Sequence, residues 1–189
     1  MFRKTIALAG LAALLGGCAS GHASFNTRTQ MDGVGPVKRL FVYLNVKSEA
    51  FDGDLRTSFI ASTRAKLESC GVTVSVLEFD PLEFDMKKKT MDSVAAFGPD
   101  ASLFMVRDGG NLTRGTGGVH GQLYYNLQAV DKTSGKQVWT ARLSYQTLSQ
   151  NMYVDNSKSG DRFGAEFVSQ MARDHFIAGC PDVVVNPPK

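Results

Sequence analysis

The chain has 189 residues, 43% of them hydrophobic and 21% charged, with a formal net charge of +3 and three cysteines. That length suits one domain with its own hydrophobic core, and the near-balanced charge offers no electrostatic footprint for nucleic acid.

The first residues read as an export leader. Arg3 and Lys4 are followed by an apolar run from Thr5 to Leu15 and then by Gly16, Gly17 and Cys18. The apolar core is about a dozen residues, whereas a helix crossing a bilayer needs roughly 20. Leu15-Gly16-Gly17-Cys18 resembles the lipobox of bacterial lipoproteins, an aliphatic residue and two small ones before a cysteine. The resemblance implies cleavage before Cys18, a diacylglycerol on its thiol and usually a further acyl chain on its new amino group. Two or more chains, at ~0.8 kcal/mol per buried methylene, hold a protein firmly where one holds marginally. Ala19 after the cysteine, rather than Asp, implies the outer membrane, periplasmic side. The alternative is an ordinary secretory signal with Cys18 discarded or free. Residues 1–17 are thus expected as a signal peptide, 18–37 as a flexible tether, 38–180 as a globular domain and 181–189 as a loose tail. Without Arg3 and Lys4 the formal charge is about +1.

Lys38 to Val46, rich in β-branched and aromatic residues, predicts a mostly buried strand. Asp52 or Asp54 can cap a helix from Leu55 to Ser69, ended by Gly71, with Leu55, Phe59, Ser62, Lys66 or Leu67, and Cys70 near one stripe. Val72 to Phe79 predicts a second strand. Strand, helix and strand with short joints make a right-handed βαβ unit with parallel strands. A charged connection containing Lys87, Lys88 and Lys89, read as a solvated face, leads to a short helix near Met91 to Phe97.

Ala101 to Arg107 is the third predicted strand. Residues 108–121 then hold six glycines in fourteen positions, a density with a high entropic cost to order, which predicts a mobile loop. Leu123, Tyr125, Leu127 and Ala129 alternate with polar residues, Asp131 to Lys136 supply turn chemistry, and Trp139, Ala141, Leu143 and Tyr145 alternate on the way back. The pattern predicts a long antiparallel hairpin. From Asp161 the period turns helical, with Phe163, Phe167, Met171 and His175 on one stripe and Pro181 past the end. No internal repeat is apparent. The expected architecture is α+β: one domain, a mixed four- to five-stranded sheet, and two main helices on one face.

An exported protein meets an oxidising compartment. Cys70 and Cys180 each follow a predicted helix. If those helices run the same way across one sheet, a Cys70 to Cys180 disulfide closes a loop of about 110 residues, worth ~4–5 kcal/mol in the chain-entropy model. The alternative is two buried free thiols.

The element order behind the lipobox resembles a class of bacterial envelope lipoproteins whose domain has no established function. The residues that carry it are Pro99 to Phe104, Gly121-Gln122-Leu123 leading to Asp131, and Lys136 to Trp139. A looser similarity in layout is to the Tol-system N-terminal domain and the curli-secretion lipoproteins.

No constellation points to a reaction. His22, His120 and His175 are dispersed, and none stands at metal-ligand spacing with Cys, Asp or Glu. A Gly-x-Ser-x-Gly elbow is absent, and Gly135-Lys136 is followed by Gln137, not the Ser or Thr of a phosphate-binding loop. Asn111-Leu112-Thr113 matches a glycosylation sequon, a pattern that in a bacterial protein is usually accidental. Tyr124, on the non-core face of the hairpin, can serve a partner together with Arg114 and His120 of the glycine-rich segment; the alternative places Tyr124 under a helix as core. The chain is therefore expected to be non-enzymatic and without cofactor. It would be anchored through Cys18 and recruit or brace another envelope component, or else bind a small ligand or glycan with the hairpin and the glycine-rich segment.

Overall fold

The computed structural model describes residues 22–47, 51, 53–115, 118–149 and 157–180, so Cys18, the leader and the tail 181–189 lie outside the described residues. Six strands and three helices occupy them: β1 (His22–Thr29), β2 (Arg39–Asn45), α1 (Gly53–Ser69), β3 (Thr73–Glu78), α2 (Met86–Phe97), β4 (Ala101–Gly115), β5 (Gly118–Asp131), β6 (Gln137–Ser149) and α3 (Ser157–Arg173). The strands form one mixed sheet in the order β1-β6-β5-β4-β2-β3. β2 is parallel to β3 and β4, as the βαβ unit requires, and the remaining pairings are antiparallel. The fold is α+β in a single domain, with one or two strands more than the sequence pattern suggests.

The connections explain the layering. The chain moves from β2 to β3 through α1, then back past β2 to β4 through α2. Two right-handed crossovers in opposite directions place their helices on opposite faces. Leu40, Val42 and Leu44 of β2 join Leu103 and Met105 of β4 and the alternating apolar residues of β5 and β6 in one core beneath α1 and α3. Phe51 sits at its centre, with ring centroids 5.4 Å from Phe59 and 5.7 Å from both Tyr125 and Phe163. Burial pushes the Tyr145 phenol in this cluster up to about 12.

α2 has no fully buried residue and is held by its C-terminal end. The Arg39 guanidinium donates to the carbonyls of Phe97 and Gly98 and lies 4.7 Å from the Phe97 ring centroid. A cation there also suits the negative end of the helix dipole. The helix begins earlier than its sequence suggests, at Met86, because Asp85 accepts from the Lys88 N–H at 2.9 Å as an N-cap. The lysine run is exposed in its first turn, with Lys88 paired to Asp92 at 2.6 Å and Lys89 to Glu83 at 3.1 Å.

Three expectations are corrected. Residues 22–29, assigned to the tether, form edge strand β1 along β6, with Ala23, Phe25 and Thr27 facing the core side and Ser24, Asn26 and Arg28 facing out. The glycine-rich segment 108–121, expected as a mobile loop, is strand: β4 runs on to Gly115 and pairs with β5 down to Gly118. Its glycines serve geometry. Gly109 and Gly110 have φ of +108° and +142° at a bulge in β4, and a side chain on Gly110 would meet Leu123 Cδ2 at 2.9 Å. At Gly121 a Cβ would collide with the Asn111 carbonyl and come within 3.0 Å of Leu112 Cα. The third correction is His175. It is exposed and lies beyond α3 with φ +56°, so it does not continue the apolar stripe. The turn it occupies returns the Phe176 N–H to the Met171 carbonyl and the His175 N–H to the Ala172 carbonyl, the Schellman pattern. α1 ends in the same pattern around Gly71, through Val72 to Leu67 and Gly71 to Glu68.

α1 and α3 pack in parallel, since Gly160 lies against Ser58 and Gly164 against Ser62 and Thr63. Their C-terminal ends therefore lie together, and Cys70 and Cys180 are joined by a disulfide with Cα atoms 4.7 Å apart. Close by, Asp174 ties three elements: the Trp139 indole N–H donates to Oδ2 at 2.8 Å, while Thr27 and Gln170 donate to Oδ1 at 3.2 and 2.9 Å. Trp139 stacks on Phe176 at 5.6 Å.

Candidate functional site

One face of the sheet is covered by α1 and α3, and α2 covers only the β2–β3 part of the other. Among the described residues no helix covers the outward face of β4, β5, β6 and β1, and the composition of that face follows from strand parity. Every residue alternating with the apolar core set points there, which on β5 gives Gln122, Tyr124, Asn126 and Gln128, and on β6 gives Thr140, Arg142 and Ser144.

Arg142 is the hub of this face. Its guanidinium carbon lies 5.5 Å from the Tyr124 ring centroid, and Nη2 is 3.5 Å from Asp108 Oδ2 at the β4 bulge. The Tyr124 hydroxyl donates to Gln122 Oε1 at 2.9 Å, and the Gln122 amide donates to the Ser144 hydroxyl. A shallow cleft of about 390 Å³ opens beside them, lined by Ser24, Phe25, Asn26, Tyr124, Arg142 and Ser144. Such a surface offers fixed amide, hydroxyl and guanidinium groups around one aromatic ring, the means of polar recognition.

Tyr124 stands on the non-core face, half-buried and under no helix. The register pairs Thr113 with His120 and Arg114 with Val119. The side chains of Arg114 and His120 lie outside the described residues, and the arginine beside Tyr124 is Arg142. That residue was missed: the Asp131–Lys136 turn alone would set Ala141 opposite Asn126, and the register shift between Ala129 and Val130 is what brings Arg142 there, diagonal to Tyr124.

A second concavity lies at the far end of the sheet. It is an open groove of about 740 Å³ between the Gln30–Gly35 connection and the β5–β6 turn, continuous through Gln30, Asp32, Gln137 and Val138 with a further 520 Å³ beside Trp139. Asp131 shapes that turn by accepting from the Ser134 N–H at 2.6 Å and its hydroxyl at 2.7 Å, which holds its carboxyl below the usual carboxylate range. Asp100 fixes the neighbouring strand by accepting from the Lys38 and Arg39 N–H groups at 2.9 and 2.8 Å. Among the described residues no group of three or more His, Cys, Asp or Glu is placed to hold a metal ion, and no helix is long and apolar enough to cross a membrane.

No protein-family model and no curated protein matches the chain. Among solved structures it is similar to the PelC dodecamer from Paraburkholderia phytofirmans, at 14% identity over 74% of this chain and 91% of that one, with a TM-score of 0.47. The L103M form of the same protein gives 13% over 82% and 98%, with a TM-score of 0.49. Lipoprotein GNA1162 from Neisseria meningitidis is 22% identical over 71% of this chain and 98% of that one, with a TM-score of 0.42. What those proteins assemble into is theirs, and likeness at this level carries no statement about the partner, activity or assembly of this chain.

Proposed function

We propose that this chain is a bacterial envelope lipoprotein, acylated at Cys18 and held on the periplasmic side of the outer membrane, whose domain has no catalytic role and recruits or braces another envelope component. The observation that carries the reading is Leu15-Gly16-Gly17-Cys18 behind a basic start and an apolar run too short to span a bilayer. The Cys70–Cys180 disulfide suits an oxidising compartment. The face around Arg142 and Tyr124, which no helix covers among the described residues, suits a protein contact.

The test is metabolic labelling with palmitate followed by fractionation. Wild type should incorporate label and pellet with membranes, while Cys18→Ala should lose the label and move to the soluble periplasmic fraction. Wild type that stays unlabelled and soluble ends the reading. Crosslinking in intact cells should then trap a partner through the β5–β6 face, and Arg142→Glu should weaken the adduct without changing the fold.

A second reading, a binding module for a small ligand or glycan, is favoured by the cleft beside Tyr124 with its ring and convergent amide and hydroxyl groups. A rise in melting temperature with muropeptides, lost in Tyr124→Ala, would select it over protein recruitment.

A further inference from the structure

The anchor and the sheet are linked by very little chain. β1 begins at His22, so Cys18 is four residues away and its Cα lies within about 14 Å of His22 however the connection is drawn. A bilayer holding acyl chains on Cys18 must therefore lie close to the His22 end of the sheet.

The register shows what else is at that end. His22 is level with Gln146 on β6, which is level with Gln122 on β5 and, through it, with Asn111 on β4. Beyond that row the three inner strands continue: β5 reaches Gly118 and β4 reaches Gly115, four residues further on, and β6 reaches Ser149. Four residues of strand rise about 13 Å. The overhang and the fully drawn connection to Cys18 are thus of equal length, so an acylated Cys18 reaches no farther than the ends of these strands.

The composition of the overhang fits a lipid headgroup surface. Between Asp108 and Asp131 the chain carries no acidic residue, and Gln146 to Ser149 on β6 carries none. By sequence it carries one arginine, Arg114. No carboxylate on these strand ends would be repelled by anionic lipids.

Resting on the acylation of Cys18 proposed above, we infer that the end of the sheet formed by Asn111–Gly115, Gly118–Gly121 and Gln146–Ser149 stands against the bilayer headgroups, with the strands rising from the membrane. The disulfide and the groove at the β5–β6 turn then face away from it, because both lie at the opposite ends of the same strands and helices.

The experiment uses the full acylated protein in vesicles of phosphatidylethanolamine and phosphatidylglycerol. With Cys18 acylated and Cys70 bonded to Cys180, an introduced cysteine is the one free thiol. A fluorophore is placed through Thr113→Cys in the overhang, Thr133→Cys at the opposite turn, or Phe84→Cys in the β3–α2 connection, where Leu82 and Phe84 form a competing exposed apolar patch. Quenching by headgroup-labelled nitroxide lipid should be severalfold stronger at 113 than at 133 or 84. Equal quenching at 113 and 133, or stronger quenching at 84, overturns the placement while leaving the anchor intact. Acylation is read separately from the mass of the Cys18 peptide, and an unmodified peptide overturns the anchor and the placement together.

Discussion

His175 occupies a left-handed backbone position in a motif that usually takes glycine, and α1 shows the glycine version at Gly71. A side chain there is strained, whereas glycine loses more freedom on folding, so the two effects oppose. The strain is the larger. His175→Gly should raise unfolding stability by about 0.5–1 kcal/mol, seen as a higher urea midpoint at unchanged slope. The sequence hid this turn because spacing from Phe163 through Met171 extends naturally to residue 175. It carries no glycine to mark the stop, and only the packing of Phe176 on Trp139 reveals why the chain turns. Trp139 and Tyr145, by contrast, were legible as core from strand alternation alone, since the pleat sends alternate residues to one face.

Between helices, the close approach is where α3 lies on α1. A Cβ on Gly164 would stand 2.9 Å from Ser62 Cβ and 3.0 Å from the Phe59 carbonyl oxygen, and one on Gly160 would overlap Ser58 and the Leu55 carbonyl. Backbone atoms cannot swing aside, so Gly164→Val should separate the helices and cost about 1–3 kcal/mol in thermal or denaturant unfolding, without loss of helix content by circular dichroism. Glycine was also the main source of error in reading the sequence. Its entropic cost argues against order, and that argument turned 108–121 into a loop. In the sheet the same residues permit a bulge at Gly109 and Gly110 and a close strand approach at Gly121, which is visible only once the partner strand is known. β1 was missed for a different reason. Ala23, Phe25 and Thr27 do alternate with Ser24, Asn26 and Arg28, but one large apolar residue in eight gives a faint signal, and β6 supplies the ladder that fixes it.

For the molecule as a whole, the disulfide spans a sequence separation of 110 residues and joins the residue after α1 to the segment that follows α3. Constraining a denatured chain over that length is worth about 4–5 kcal/mol in the chain-entropy model, so Cys70→Ser with Cys180→Ser should lower stability by several kcal/mol. The comparison is made by urea titration of the double variant against the oxidised wild type, and equal midpoints would show that the bond constrains nothing. The α+β class and the parallel βαβ unit were legible, because they depend on periodicity; the bond between Cys70 and Cys180 stood as one of two readings, since it depends on α1 and α3 running the same way, which only their packing shows. The open face was half legible: Tyr124 follows from parity, but its neighbour Arg142 requires the cross-strand register.

β1 also fixes how the domain bears load. Tension on the chain ahead of His22 pulls along the strand axis, while the ladder bonds from His22–Gln146 to Thr29–Trp139 run across it. The whole ladder is then sheared at once instead of opening rung by rung, the arrangement in which a short edge strand resists force best.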